Sequence, residues 1–150
     1  MDIVIDFDGT VVTHEFPNVG KDIGAVPVLK ELVENGHNLI LFTMRSDVEN
    51  PKSDDKTIIA KGGNYLSDAV NWFAEREIPL YGIQRNPTQD SWTHSPKAYG
   101  QIIIDDAALG CPLTYYKPNK GLEILGKNRP FVDWVKVRKW FVDMGILPDA

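Results

Sequence analysis

Paired aspartates at two separate places in the chain are the residues best suited to do chemistry. Asp6 and Asp8 lie in the stretch D-F-D-G-T, close to the start of the sequence. Asp105 and Asp106 end the apolar run I-I-I-D-D, about a hundred residues later. A carboxylate can attack phosphorus and form an aspartyl-phosphate, and a second carboxylate can serve as general acid and base. The two pairs therefore indicate phosphoryl transfer.

The positions of the first pair predict which residue does what. Asp6 ends a short apolar strand, where its side chain is held rigidly, so it is the better nucleophile. Asp8 follows two residues later, and Gly9 allows a tight turn there. Asp8 can then reach the leaving-group oxygen as general acid and later take a proton from the attacking water.

Short apolar runs alternate with helical periodicity along the chain. The predicted strands are 2–6, 37–42, 80–83 and 101–104, and the predicted helices are 25–35, 64–77 and 131–144. The intervening stretches 44–63, 84–96 and 107–129 are predicted to be loops or irregular. Continuous apolar strands separated by helices are typical of a parallel sheet covered on both faces. We expect one α/β domain over residues 1–150 with a Rossmann-like, doubly wound, mostly parallel sheet.

The elements place the polar residues at one edge of this sheet, because ligands of such folds bind at the carboxyl ends of the strands. Thr43 and Arg45 follow the second strand, and Lys97 lies a few residues before the fourth. The hydroxyl of Thr43 can donate to a phosphoryl oxygen, and Lys97 adds a positive charge. Arg45 is a further residue that could contact the phosphate or the leaving group.

Four carboxylates at one edge repel one another when they are partly desolvated, and a divalent cation relieves that repulsion. The ligand set contains oxygen atoms only and is small, which favours Mg²⁺ with substrate and water in its remaining positions. The sequence therefore predicts a magnesium site beside a threonine and a lysine, suited to a phosphoryl group.

Four motifs in order resemble the haloacid dehalogenase (HAD) superfamily of phosphohydrolases. They are D-F-D-G-T, the strand L-I-L-F ending at Thr43, Lys97, and I-I-I-D-D. The order and the intervening lengths resemble the family from residue 2 to about residue 110. The gaps between the motifs leave no room for a separate folded cap, which is similar to the capless members.

The resemblance implies a role for each matching position. Asp6 would be the nucleophile and a metal ligand, and Asp8 the acid/base with its backbone carbonyl on the metal. Asp105 would be a direct ligand, and Asp106 a direct or water-mediated one. Thr43 and Lys97 would bind the phosphoryl group of a phosphorylated substrate, either a small molecule or an exposed phosphate on a larger one.

Composition limits the partners and the location. The net charge of −5 gives no electrostatic footprint for nucleic acid or an anionic membrane. No apolar run approaches the ~18 residues of a membrane span. The single cysteine, Cys111, cannot form an internal disulfide, and the N-terminus lacks the pattern of a signal peptide. We expect a cytoplasmic protein.

Other functions stay open on the sequence alone. A receiver-like signalling domain also combines a phospho-accepting aspartate, an acidic pair, a threonine or serine and a lysine, although in the reverse order. A HAD-fold enzyme of other chemistry, such as dehalogenation, would not need Asp8. His14, Arg85, Trp92 and His94 lie on loops near the predicted site, where they could hold a substrate or simply pack.

Overall fold

The described part of the chain folds around a parallel sheet of four strands with three α-helices. The computed structural model describes residues 1–49, 62–115 and 129–149. The strands in chain order are β1 (Asp2–Ile5), β2 (Asn38–Leu41), β3 (Asp47–Val48), β4 (Gly63–Asn64), β5 (Gly82–Ile83), β6 (Ile102–Ile104), β7 (Leu113–Thr114) and β8 (Phe131–Val132). The helices are α1 (Ala25–Glu34), α2 (Tyr65–Glu75) and α3 (Trp134–Asp143).

The four sheet strands lie in the order β5-β2-β1-β6, and every neighbouring pair is parallel. From β1 the chain moves outward through β2 to β5 and then returns to add β6 on the other side of β1. The direction of winding therefore reverses between β1 and β6. In open α/β sheets a crevice forms outside the carboxyl ends of the strands at such a point.

The two faces of the sheet are covered differently. Ile3 and Ile5 of β1 belong to a large buried cluster that also contains the buried residues of all three helices. Val4 points the other way and packs in a separate small cluster with Ile40 and Ala98. Because side chains alternate across a strand, the two clusters lie on opposite faces. The segment that carries Ala98 joins β5 to β6 over the second face.

The central strands and the three helices confirm the mixed α/β prediction with a parallel sheet. Their ends lie at most three residues from the predicted ends, and several coincide with them. The helices have ten, eleven and ten residues, whereas a bilayer span needs about 20. No helix in the described part of the chain is long and apolar enough to cross a membrane.

Two stretches predicted to be irregular contain short strands, and those predictions were wrong in part. Within 44–63, β3 pairs antiparallel with β4, which runs one residue beyond that stretch to Asn64. Within 107–129, β7 pairs antiparallel with β8, which lies just beyond that stretch. Strands of two residues carry no periodic signal, because their pairing is decided by tertiary contacts. Residues 50–61 and 116–128 of the two stretches lie outside the described residues.

The last helix begins at Trp134 and not at the predicted position 131. Phe131 and Val132 form β8, so they cannot be helical. Asp133 then caps the helix, because its Oδ1 accepts from the backbone N–H groups of Val135 and Lys136 at 3.1 and 3.2 Å. An aspartate at this position is a common helix start.

The cap makes a measurable contribution to stability. We expect Asp133→Ala to lower the free energy of unfolding by about 1 kcal/mol, because two backbone donors lose their acceptor. Urea unfolding checks this. Asp143→Ala is the matched control at the other end of α3, where the aspartate makes only an exposed ion pair with Lys139, and we expect a change below about 0.5 kcal/mol. Equal effects of the two substitutions would contradict the capping role.

Candidate functional site

The register between β1 and β6 sets the position of the first acidic residues. Ile5 pairs with Ile104, and the backbone N–H of Asp6 donates to the carbonyl of Ile104 at 3.0 Å. Asp6 and Asp105 are the next residues of the two strands. They therefore leave the sheet side by side at its carboxyl edge.

Three carboxylates converge at this edge. Asp6, Asp105 and Asp106, called the acidic group below, each offer an oxygen atom, and these three atoms all lie within 4.8 Å of one another. Among the described residues, no other group of three or more histidine, cysteine, aspartate or glutamate side chains is arranged so that it could hold a metal ion. Oxygen donors at such separations fit a hard cation. The structure thus brings together three of the four aspartates predicted as metal ligands.

Thr10 joins two members of the acidic group. Its hydroxyl oxygen lies 3.1 Å from Oδ2 of Asp6 and 3.3 Å from Oδ1 of Asp106, and it accepts from the backbone N–H of Asp106 at 3.1 Å. Thr10 is fully buried, and its own carbonyl accepts from Nε1 of Trp134 at 2.7 Å. Thr10 is thus anchored through both its hydroxyl and its backbone carbonyl, and it holds the two carboxylates in place.

Two basic side chains flank Asp106. Nε2 of His14 lies 3.1 Å from Oδ2 of Asp106 and 3.2 Å from the carbonyl of Pro130. Arg129 approaches the same carboxylate oxygen at 3.7 Å. Gly9 makes room for this packing: its φ is +79°, and a Cβ there would lie 2.1 Å from the His14 ring. Any side chain at Gly9 would therefore push His14 away from Asp106.

The surroundings shift the pKa values of Asp6 and Asp106 in opposite directions. Burial, followed by the charge of Asp105, raises the pKa of Asp6 from 3.8 to about 8. Burial would also raise the pKa of Asp106, but hydrogen bonds with His14 and Asp6 and the charges of His14 and Arg129 together hold that pKa below its usual range. Without a cation, Asp6 is therefore the member of the group that keeps a proton near neutral pH.

Thr43 lies after β2, and both its backbone N–H and its carbonyl are hydrogen-bonded. The side chain of Gln84 accepts from the N–H of Thr43 at 2.8 Å and donates to its carbonyl at 2.7 Å. The Thr43 hydroxyl accepts from the N–H of Arg45 at 3.1 Å, so its own hydrogen can still be donated. Gln84 has a φ of 62°, which is uncommon for a residue other than glycine.

Asp8 is held by Arg45, apart from the acidic group. Nε of Arg45 donates to one oxygen of Asp8 and Nη2 to the other, each at 2.7 Å. The arginine side chain is 1% exposed and the aspartate 19%. The structure therefore pairs Arg45 with Asp8, and the predicted contact of Arg45 with the phosphate or the leaving group stays a prediction. The predicted ligand from Asp8 is its backbone carbonyl, and that remains a prediction.

Lys97 lies on the segment that joins β5 to β6. Its backbone carbonyl accepts from Nε2 of Gln89 at 3.0 Å, and the residue is exposed. Its ammonium forms no ion pair with a carboxylate of the described residues. The structure does not bring Lys97 into contact with the acidic group, and its role in phosphate binding stays a prediction.

Sequence reasoning assigned no role to several residues of this site. Thr10 was present in the D-F-D-G-T motif, and that was the signal that could have identified it. His14 was named only as a loop residue that could bind or pack. Gln84 and Arg129 carry no sequence signal, because their contacts depend on distant parts of the chain. Arg85, on the loop after β5, is instead paired with Asp90.

Comparison with known proteins gives a likeness of fold. No protein-family model and no curated protein matches the chain. A solved structure of a conserved protein from Bacteroides thetaiotaomicron is similar, with a TM-score of 0.66 and 25% sequence identity. The similarity covers 96% of this chain and 91% of the other. It supports a mixed α/β fold around the central parallel sheet.

The raised pKa of Asp6 gives the metal-free protein a specific pH dependence. Between pH 4 and 8 the folded state keeps a proton on Asp6 that the unfolded state has lost, because the pKa rises from 3.8 to about 8 on folding. The contribution of Asp6 to the free energy of unfolding is therefore largest below pH 4 and is lost as the pH rises from 4 through 8. The slope approaches about 1.4 kcal/mol per pH unit for one proton.

Urea unfolding in EDTA at several pH values measures this slope. Asp6→Asn is the control, because it removes the titrating group, and we expect its stability to vary less over the same range. We expect Mg²⁺ to stabilise the native protein more at pH 8 than at pH 5, because protons compete with the cation. Identical pH profiles for the native protein and Asp6→Asn would contradict this assignment.

Proposed function

We propose that this protein is a magnesium-dependent phosphomonoester hydrolase of the HAD type that works through an aspartyl-phosphate on Asp6. The observation that carries the proposal is the convergence of Asp6, Asp105 and Asp106 at the carboxyl edge of the sheet. The four motifs in HAD order agree with it, because two of them, far apart in the sequence, supply the members of the acidic group.

The donor set fits a magnesium ion. Three carboxylates offer hard oxygen ligands, and Mg²⁺ usually takes one or two carboxylates with water and substrate oxygens. The raised pKa of Asp6 reflects burial and repulsion from Asp105, both of which a divalent cation would offset. When bound, Mg²⁺ would favour the anionic form of Asp6 and neutralise charge on the phosphoryl oxygens. Asp105 and Asp106 would hold it together with Asp6.

The first chemical step forms the phosphoenzyme. A carboxylate oxygen of Asp6 supplies the electron pair for a new bond to phosphorus, and the bond from phosphorus to the leaving-group oxygen breaks. Asp8 gives its proton to that oxygen, so that a neutral alcohol leaves. The hydroxyl of Thr43 donates to a phosphoryl oxygen, and Lys97 supplies positive charge for the phosphate.

The second step returns the enzyme to its starting state. Water attacks phosphorus, the bond from phosphorus to Asp6 breaks, and inorganic phosphate leaves. Asp8, now ionised, takes the proton from the attacking water and regains the form needed for the next cycle. The hydroxyl of Thr10, which lies within hydrogen-bond distance of Asp6 and Asp106 and can donate its one hydrogen to either, keeps the nucleophile oriented through both steps.

We propose a Rossmann-like, doubly wound architecture without a cap, and the reversal in strand order is the feature that favours it. The reversal of winding between β1 and β6 coincides with the acidic group, as is usual for ligand sites in such sheets. We propose a site open to phosphorylated small molecules or to exposed phosphates on larger ones. Sugar phosphates, nucleotides and phosphorylated ends are the substrate classes to screen.

The decisive functional test is phosphate release. We expect hydrolysis of p-nitrophenyl phosphate and of at least one natural phosphomonoester with Mg²⁺, and loss of both in EDTA and in Asp6→Asn. A receiver-like domain would instead yield a long-lived phosphoprotein with Mg²⁺ and acetyl phosphate, without turnover. That result, or full activity in EDTA, would contradict the proposal.

Asp8→Asn tests the acid/base assignment. We expect kcat/KM for an alkyl phosphate to fall by about 10²–10⁴-fold, because the alkoxide must be protonated as it leaves. With p-nitrophenyl phosphate the first step should survive and the phosphoenzyme should accumulate, since its hydrolysis lacks a base. Asp90→Asn is the matched control, because that exposed aspartate pairs with Arg85 on a loop. Unchanged alkyl-phosphate hydrolysis in Asp8→Asn would contradict the role of Asp8.

A further inference from the structure

The contact between Asp8 and Arg45 is a two-pronged ion pair in which the arginine is buried and the aspartate is partly buried. Nε and Nη2 of the arginine each donate to a different oxygen of the carboxylate, both at 2.7 Å. This fork geometry fixes the plane of the carboxylate as well as its position, which a lysine cannot do. The orientation of Asp8 is therefore set by a residue 37 positions away in the sequence.

Arg45 is itself fixed by three further parts of the chain. Nη1 donates to the carbonyl of Tyr65 at 3.1 Å, and Nη2 donates to the carbonyl of Asn18 at 2.9 Å. The guanidinium carbon lies 5.0 Å from the ring centres of both Phe7 and Phe16. Cations are attracted to aromatic faces at such distances. The guanidinium is therefore held in a rigid setting and cannot follow Asp8 if the carboxylate moves.

Departure of Asp8 would leave this guanidinium without its counter-charge. Breaking one side of a buried ion pair is strongly unfavourable, because the remaining charge is desolvated and uncompensated. Each carboxylate oxygen has two lone pairs, of which Arg45 uses one, so both hydrogen bonds from Arg45 can persist when another lone pair of Asp8 carries the proton. The remaining lone pairs can still exchange protons with a leaving group or with water.

We propose that Arg45 is a positioning residue that holds Asp8 in its acid/base orientation throughout the catalytic cycle. This inference rests on the proposed function and replaces direct phosphate binding by Arg45. The same guanidinium holds the carbonyl of Asn18, in the segment between Asp8 and α1, and that of Tyr65, at the start of α2. Arg45 thus ties the orientation of Asp8 to the placement of two neighbouring segments.

Leaving-group dependence separates this role from phosphate binding. In Arg45→Lys we expect kcat/KM for an alkyl phosphate to fall by about 10-fold or more, within the range of a general acid. We expect kcat/KM for p-nitrophenyl phosphate to stay within about threefold, since nitrophenolate leaves without protonation. Loss of a phosphate contact would instead lower both values together. Arg45→Gln tests the same point with a neutral side chain if the lysine variant does not fold.

Two controls complete the kinetic test. Arg138→Lys alters a matched two-pronged pair, because Arg138 binds Glu31 through both oxygens at 2.8 and 2.9 Å between α3 and α1. We expect no dependence on leaving group there. If Arg45 acts through Asp8, the double variant Asp8→Asn/Arg45→Lys should be no slower than Asp8→Asn alone. Additive losses would overturn the inference.

A spectroscopic measurement tests the inference without relying on turnover. The Nε–H resonance of Arg45, assigned by its absence in Arg45→Lys, should exchange slowly with solvent. It should persist when Mg²⁺ and beryllium trifluoride, a mimic of the phosphorylated aspartate, are added. Rapid exchange after that addition would mean that Asp8 leaves the pair, and would overturn the inference. A wild-type protein that hydrolyses no phosphomonoester would refute the proposed function, whereas these resonances still report on the pair.

Discussion

The parallel register between β1 and β6 places Ile5 opposite Ile104 and so brings Asp6 beside Asp105. Other features of the site follow from this placement. Like charges that are close and partly buried repel one another. The hydroxyl of Thr10, near Asp6 and Asp106, and the basic groups beside Asp106 reduce this repulsion. The sheet thus brings carboxylates together whose mutual repulsion a hard cation can offset.

The acidic group and the pair of Asp8 with Arg45 are electrostatically different surroundings. This difference supports the proposed roles of Asp6 as nucleophile and Asp8 as acid/base. The acidic group carries excess negative charge, whereas Asp8 is matched by one buried guanidinium. A nucleophile and an acid/base need different environments, because one must give up its proton before the reaction and the other must exchange a proton during it. The turn at Gly9 lets both aspartates lie within a few residues of each other and still face different neighbours.

The core of the site could be predicted from the sequence because it depends on strand ends. Asp6, Thr43 and Asp105 each follow a buried apolar run, and parallel pairing then brings these ends to one edge. The partner of Arg45 could not be predicted in this way. Its contacts with Asp8 and Tyr65 depend on how loops cross, and no periodic pattern records that. The short strands β7 and β8 were missed for the same reason, whereas the start of α3 at Trp134 was missed although Asp133 offered a capping signal.

Crystals grown with Mn²⁺ in place of Mg²⁺ would test the central claim most directly, because anomalous scattering locates the ion. The expected result is one strong peak among Asp6, Asp105 and Asp106, with carboxylate oxygens at about 2.0–2.3 Å. Replacement of Asp105 by asparagine should weaken or abolish that peak. Fully occupied manganese bound elsewhere on the chain, with the three aspartates left without an ion, would contradict the account.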